Sequence, residues 1–280
     1  MNKITKILAA FFFVLSALQT ASGHIGYTNR NFGTWSETGG IWSVTGNSGN
    51  FSNSSVTITA TNIPSSYGWA DATDSDFGDS HKGRWFRFTL ASSATVTLSL
   101  TGGGQSVISY VSGTRLLPAY SIYSGLAHLS PDAASHDGAQ ITIDYLNLTY
   151  PNGFGGTTKT DGAFNALGNF AIGNDSGSTP ASLRYFSYIG HVADGTSANY
   201  GSAAGINGDG NADGYVTGTF NLAAGDYSVF IGGSDYFSQT DVQNYGLTAT
   251  FGVVPEPSTY ALAGFIVALF ALLNLRRKKA

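Results

Sequence analysis

The stretch "RWFRFTLASSATVTLSL", Arg84 to Leu100, alternates with period two on either side of a run of small residues. Phe86, Phe88 and Leu90 fall on one face, with Arg87 and Thr89 opposite. After Ala91 to Ala94, Val96, Leu98 and Leu100 alternate with threonines and a serine. Successive strand side chains point to opposite faces, so this pattern predicts a hairpin with one wet face. "YVTGTFNLAAGDYSVFIGG", Tyr215 to Gly233, repeats the plan: Val216, Phe220 and Leu222 lead through a Gly-Asp turn to Tyr227, Val229 and Ile231. "YGLTATFGV" reads as a closing strand with Tyr245, Leu247, Ala249 and Phe251 in phase. Further strands are expected at Val56 to Ala60, Tyr120 to Tyr123, Ile141 to Leu148 and Arg184 to Ile189, and a helical or irregular patch at Ala163 to Ile172. Many short strands parted by Gly-rich turns predict an all-β fold, an antiparallel sandwich of jelly-roll type.

The two ends differ from this body. Lys3 and Lys6, the apolar run Ile7 to Leu18, and the small residues Ala21, Ser22 and Gly23 predict a secretory signal peptide over residues 1–23. Cleavage after Gly23 leaves His24 first, and cleavage after Ser22 fits nearly as well. At the other end Tyr260 to Leu275 carries no charge. As a helix it reaches roughly 24 Å, somewhat short of a ~30 Å hydrocarbon core, a gap that snorkelling lysines or a thinned bilayer absorb. Arg276, Arg277, Lys278 and Lys279 follow at once, a basic stop that belongs on the cytoplasmic side. A buried core helix accounts for the apolar run but not for that stop. The reading is a single transmembrane helix over 260–275, with residues 24–252 facing outward as the ectodomain.

Pro255, Glu256 and Pro257 stand just before the span. Pro-Glu-Pro, an apolar helix and a basic cluster, in that order over residues 253–280, resemble the PEP-CTERM sorting signal of Gram-negative bacteria. The resemblance implies recognition by an exosortase, cleavage near the motif, and a place at the cell surface or in an exopolysaccharide matrix. Physically, the prolines hold the backbone extended and stop helix propagation upstream, which leaves this stretch open to a protease. The two phrases that start Phe-x-Leu-Ala, together with "WFRF" and "LPAYSIYSG", also resemble the bacterial pre-peptidase C-terminal domain, a small β-sandwich, over residues 82–251 with a long insertion. Convergent patterning of strand pairs explains the same letters.

Composition limits the chemistry. The chain has no cysteine, which excludes thiol nucleophiles, thiolate zinc sites and iron–sulfur clusters. Between His24 and Val254 seven basic residues face sixteen acidic ones, a formal balance of −9. Such a body argues against nucleic acid as partner and suits cation binding. No G-x-S-x-G and no H-E-x-x-H occurs, and the glutamates are Glu37 and Glu256 alone, so a hydrolase reading has no motif to stand on.

"INGDGNADGYVTG" is the sharpest local pattern. Asp209, Asn211 and Asp213, followed by Gly214, match the front half of an oxygen-ligand calcium loop, with Asn207 a further oxygen donor. Phe220 stands where an EF-hand has its bidentate glutamate, so this is a shorter loop of another kind. A polar Asn/Asp/Gly turn without metal has the same composition. A weaker cation or carbohydrate candidate is "GWADATDSDFGDSHKGRW", with Asp74, Asp76 and Asp79, flanked by His81, Trp69 and Trp85; a solvated acidic loop is its plain alternative. His24, if exposed by processing, offers an α-amine and imidazole for copper with one of His81, His128, His136 or His191.

The sequence thus predicts an exported, non-enzymatic surface or matrix protein, handled by signal peptidase and an exosortase, held transiently at the inner membrane, and binding calcium. A glycan-binding module for exopolysaccharide and a copper-dependent redox enzyme built on His24 are the alternatives.

Overall fold

The structure, a computed structural model, describes residues 25–70, 77–103, 115–127, 135–136, 140–150, 162–174, 183–200, 205–235 and 244–254. The expected signal peptide, Asp74, Asp76, and the whole sorting segment with Pro255, Glu256, Pro257 and Arg276 to Lys279 lie outside these residues. Among the described residues no helix is long and apolar enough to cross a membrane.

Two sheets form a sandwich. The first runs β13 (Tyr215–Leu222), β7 (Ala94–Gly102), β15 (Tyr245–Val254), β4 (Ser55–Ile63) and β3 (Asn50–Ser52). The second has eight strands: β2 (Ile41–Thr45), β1 (Asn31–Thr38), β6 (Arg84–Leu90), β14 (Gly225–Gly233), β8 (Pro118–Ser124), β12 (Arg184–Ala193), β11 (Phe170–Asn174) and β9 (Ser135–His136). Among the described strands every strand–strand pairing is antiparallel except β1 with β6. Strands from residues 31–63 enter both sheets: β4 pairs β15 and β1 pairs β6. The sandwich therefore extends upstream of residue 82.

The deciding stretch folds as two strands, but not as a hairpin. β6 pairs β14 and β1 in one sheet, while β7 pairs β13 and β15 in the other. The small residues 91–93 carry the chain across the edge of the core. The phrase at 215–233 does the same, with β13 in the first sheet and β14 in the second. The registers Leu222↔Ala94 and Gly225↔Leu90 set the two crossings side by side. Alternation reports which face a residue takes, and it was right for Phe86, Phe88, Val96 and Leu98, all buried between the sheets. It does not report which strand lies alongside.

Two other expectations change. Ile141 to Leu148 belongs to a helix, α1 (Gln140–Thr149), and the described helix buries Thr142 and Leu146. These are four residues apart, the helical repeat, which Ile141, Ile143 and Tyr145 disguise as alternation. The patch at 163–172 is instead extended, as β10 (Ala163–Asn165) and the start of β11. β10 pairs β5 (Phe77–Asp79) as a separate two-stranded piece.

These pieces cover the outer face of the eight-stranded sheet and build a second core around Trp85. Its indole lies within 6 Å, centroid to centroid, of Tyr123, Phe164, Phe170, Phe186 and Phe230. Trp69 is fully buried in the same layer and donates from Nε1 to Ser121 Oγ at 2.8 Å. Both tryptophans expected at a carbohydrate-contacting loop are thus core residues.

Candidate metal centre

β12 ends at Ala193, and Asp194 follows it into the interior, fully buried. Its backbone is clamped: the amide donates to Pro118 O at 2.9 Å, and Ser234 Oγ donates to its carbonyl at 3.0 Å. The Gly- and Asn-rich loop then returns beside it. Asp209 N–H reaches Ala193 O at 3.0 Å, and Gly210 N–H reaches Gly195 O at 3.1 Å.

The Asp194 carboxylate closes the loop's far end. Oδ1 accepts from the Asp213 amide at 3.1 Å and Oδ2 from the Gly214 amide at 2.7 Å. Asp209 Oδ1 accepts from the amides of Gly195 (3.2 Å) and Asn211 (3.0 Å), and Asp213 Oδ1 from the amide of Tyr215 (2.9 Å). Gly214 has φ +80°, and a Cβ there would sit 2.0 Å from Arg115 Cδ, so only glycine fits this corner. Arg115 donates to the Asp213 backbone carbonyl rather than to a carboxylate.

One carboxylate oxygen from each of Asp194, Asp209 and Asp213 lies within 4.8 Å of the others. None of the three pairs with a lysine or arginine among the described residues. Burial pushes the Asp194 carboxyl up to about 7, with the Asp209 and Asp213 charges adding to it against two amide hydrogen bonds. A buried anion beside two others, without a cation, is what a bound metal relieves. The donors are all oxygen, which suits a hard cation of the calcium or magnesium kind.

The fold brings together Asp209 and Asp213 of the expected loop. Like these two, Asn207 and Asn211 are exposed, and the Asn207 amide donates to His191 Nε2 at 2.8 Å. Asp194 was not foreseen. It stands fifteen residues upstream of Asp209, and its one sequence hint is the Asp-Gly pair that ends a strand.

The other acidic candidate is built differently. Asp79 Oδ2 lies 3.1 Å from Lys82 Nζ and Oδ1 lies 3.0 Å from His81 Nδ1. Burial raises its pKa, but the His81 hydrogen bond and the Lys82 charge outweigh this and hold the carboxyl below its ordinary value. Lys82 also lies over the Tyr67 ring at 4.4 Å. This carboxylate already has its cation.

The histidines proposed for copper are placed in part. His24 and His128 lie outside the described residues. His191 has both ring nitrogens engaged, Nδ1 with Tyr188 Oη and Nε2 with the Asn207 amide, and burial drives its pKa down to about 4. Since Nε2 accepts, Nδ1 carries the proton.

Solved structures that align with the chain include two copper-binding proteins. CorA, a surface-associated copper-binding protein of Methylomicrobium album BG8, is 15% identical, with 72% of this chain and 94% of that one covered and a TM-score of 0.45. MopE, a secreted protein of Methylococcus capsulatus in which an oxidized tryptophan facilitates copper binding, is 12% identical in its mercury-soaked form. Its alignment covers 85% of this chain and 97% of that one, with a TM-score of 0.40. No protein-family profile and no curated protein matches the sequence. Likenesses this distant carry no argument about what this chain binds.

Proposed function

We propose that this chain is an exported, non-catalytic β-sandwich of the cell surface or extracellular matrix, with the loop after β12 clipped by a divalent cation, calcium. The observation that carries the cation is the gathering of Asp194, Asp209 and Asp213 with no lysine or arginine paired to them among the described residues. Calcium takes six to eight oxygens, and three carboxylates plus loop carbonyls and water supply them. Without the bidentate carboxylate of an EF-hand, affinity falls in the roughly 0.1–1 mM range of extracellular modules. The expected result is a melting temperature several degrees higher in calcium than in chelator. Identical melting at millimolar calcium returns the loop to an ordinary polar turn.

Export and surface placement rest on the two end segments. Deleting the host exosortase, or neutralising Arg276 to Lys279, should leave a longer form in the membrane fraction. Recovery of Leu275 in mature wild-type protein by mass spectrometry would refute the sorting reading.

A glycan-binding role has one observation in its favour. The five strands of the first sheet contain no charged residue, and their outer face is a grid of hydroxyls. Ser99 bonds Thr217 at 2.8 Å, Thr97 bonds Thr219 at 3.1 Å, and Thr57 bonds Thr250 at 3.0 Å across neighbouring strands. Such a face suits a neutral polyhydroxyl chain. Pull-down with host exopolysaccharide, before and after Thr97→Lys, tests it: retention unchanged by the lysine places binding elsewhere.

A further inference from the structure

β1 joins β6 only partway along. The Arg87 amide donates to Arg30 O at 3.1 Å, but the Arg30 amide turns away to Tyr27 O at 2.9 Å. Among the described residues, the edge of β6 before this point has no backbone partner on that side. Gly83, just ahead of β6, is extended, so its carbonyl and that of Trp85 point the same way. Two arginines meet them. Arg30 Nε donates to Trp85 O at 3.0 Å, with Nη2 on Gly26 O at 2.7 Å, and Arg84 Nη1 donates to Gly83 O at 2.8 Å.

Both side chains are half-buried, and neither bonds a carboxylate among the described residues. Burial pulls the Arg30 pKa down to about 10, and the Arg84 charge adds to the fall. Arg87, three residues on, lies over the Tyr27 ring at 5.9 Å with Nε buried and unbonded. Three of the seven basic residues in an acidic body thus lie at β6 with no carboxylate partner among the described residues. Partly buried like charges are costly unless paired. Capping three carbonyls explains one N–H of Arg84 and two of Arg30; a guanidinium has five.

We infer that the bare edge of β6 is an oxyanion site, in which Arg30 and Arg84 jointly hold a carboxylate, sulfate or phosphate group. Same-side carbonyls on a strand repeat at about 6.4–6.8 Å, which sets the spacing of the N–H groups anchored to them. One oxyanion spans that gap with a charge-assisted hydrogen bond of about 2.8 Å on either side. Guanidinium is the group for this task, planar and permanently charged. The surrounding negative charge selects a single anionic group, free or on an acidic sugar, over a dense polyanion.

The test uses the purified full chain and phenylglyoxal, which modifies accessible arginines, with peptide mapping by mass spectrometry. Low-millimolar sodium sulfate or sodium glucuronate should slow modification of Arg30 and Arg84 severalfold, while exposed Arg184 is unaffected. Chloride at matched ionic strength, and glucose, should protect neither. Protection by sulfate but not glucuronate assigns a free inorganic ion, and protection by both admits an acidic sugar. Arg84→Gln should abolish protection of Arg30, and Arg84→Lys should restore part of it. Modification of Arg30 and Arg84 at equal rates with and without both anions overturns the proposal, and that measurement needs no variant to fold.

Discussion

Asp79 and Asp194 are both carboxylates at the end of a strand, both largely withdrawn from water, and they have opposite surroundings. Asp79 has Lys82 at 3.1 Å and His81 at 3.0 Å, and its carboxyl is held below its ordinary value. Asp194 has two more carboxylates and two backbone amides, and its carboxyl is pushed up to about 7. The difference teaches that acidic density in the sequence does not make a cation site. A cation site needs a fold that brings acids together without a base, and around Asp194 no base is paired among the described residues.

The contrast can be broken by removing each carboxylate. Asp194→Ala strands two amides at the loop's end, one of them in a buried residue, and should cost about 2–4 kcal/mol. For a domain of this size that is roughly 5–15 °C in melting temperature. Asp79→Ala loses a partly exposed ion pair and should cost under about 1 kcal/mol. Equal losses in thermal melts would remove the distinction between the two corners.

A pH series sharpens it. A carboxyl whose folded pKa is raised holds a proton that the unfolded chain has lost, so it favours folding at low pH. The Asp194 contribution in chelator should be fully present below about pH 4 and be lost as pH rises through about 7. His191, three residues earlier on β12, has the opposite sign. It is neutral in the fold down to about pH 4, so its contribution holds above about pH 6.5 and is lost as pH falls through about 4. Asp194→Asn should erase the first dependence and leave the second. A variant whose melting temperature follows the wild-type pH curve would mean that Asp194 is not the group titrating near 7.

The smallest effect expected lies outside both corners. Thr97→Val exchanges one cross-strand hydroxyl pair on an exposed face, worth about 0.2–1 kcal/mol, and should leave calcium dependence untouched. A loss of calcium dependence in that variant would show that the loop and the sheet face are one site.

How far the sequence could be read follows from the physics of each signal. The inward faces of β6, β7, β13 and β15 were legible because period two marks burial directly. The pairing was not: Leu90-Ala91 and Leu222-Ala223 look like hairpin turns, yet each passes from one sheet to the other. α1 was hidden because isoleucine, threonine and tyrosine favour strands, and the helix rests on the packing of Thr142 and Leu146 against the outer layer. The loop carboxylates Asp209 and Asp213 were legible as a local motif. Asp194 was not, because β12 delivers it from elsewhere in the chain, and no local spacing encodes such a meeting.

Calorimetric titration of chelator-treated protein with calcium tests the cation clip most directly. One saturable site per chain is expected, with a dissociation constant of about 0.1–1 mM. The heat should disappear in Asp194→Asn and in Asp213→Ala and persist in Asp79→Ala. No saturable heat in the wild-type protein, or heat that survives Asp194→Asn unchanged, would contradict it.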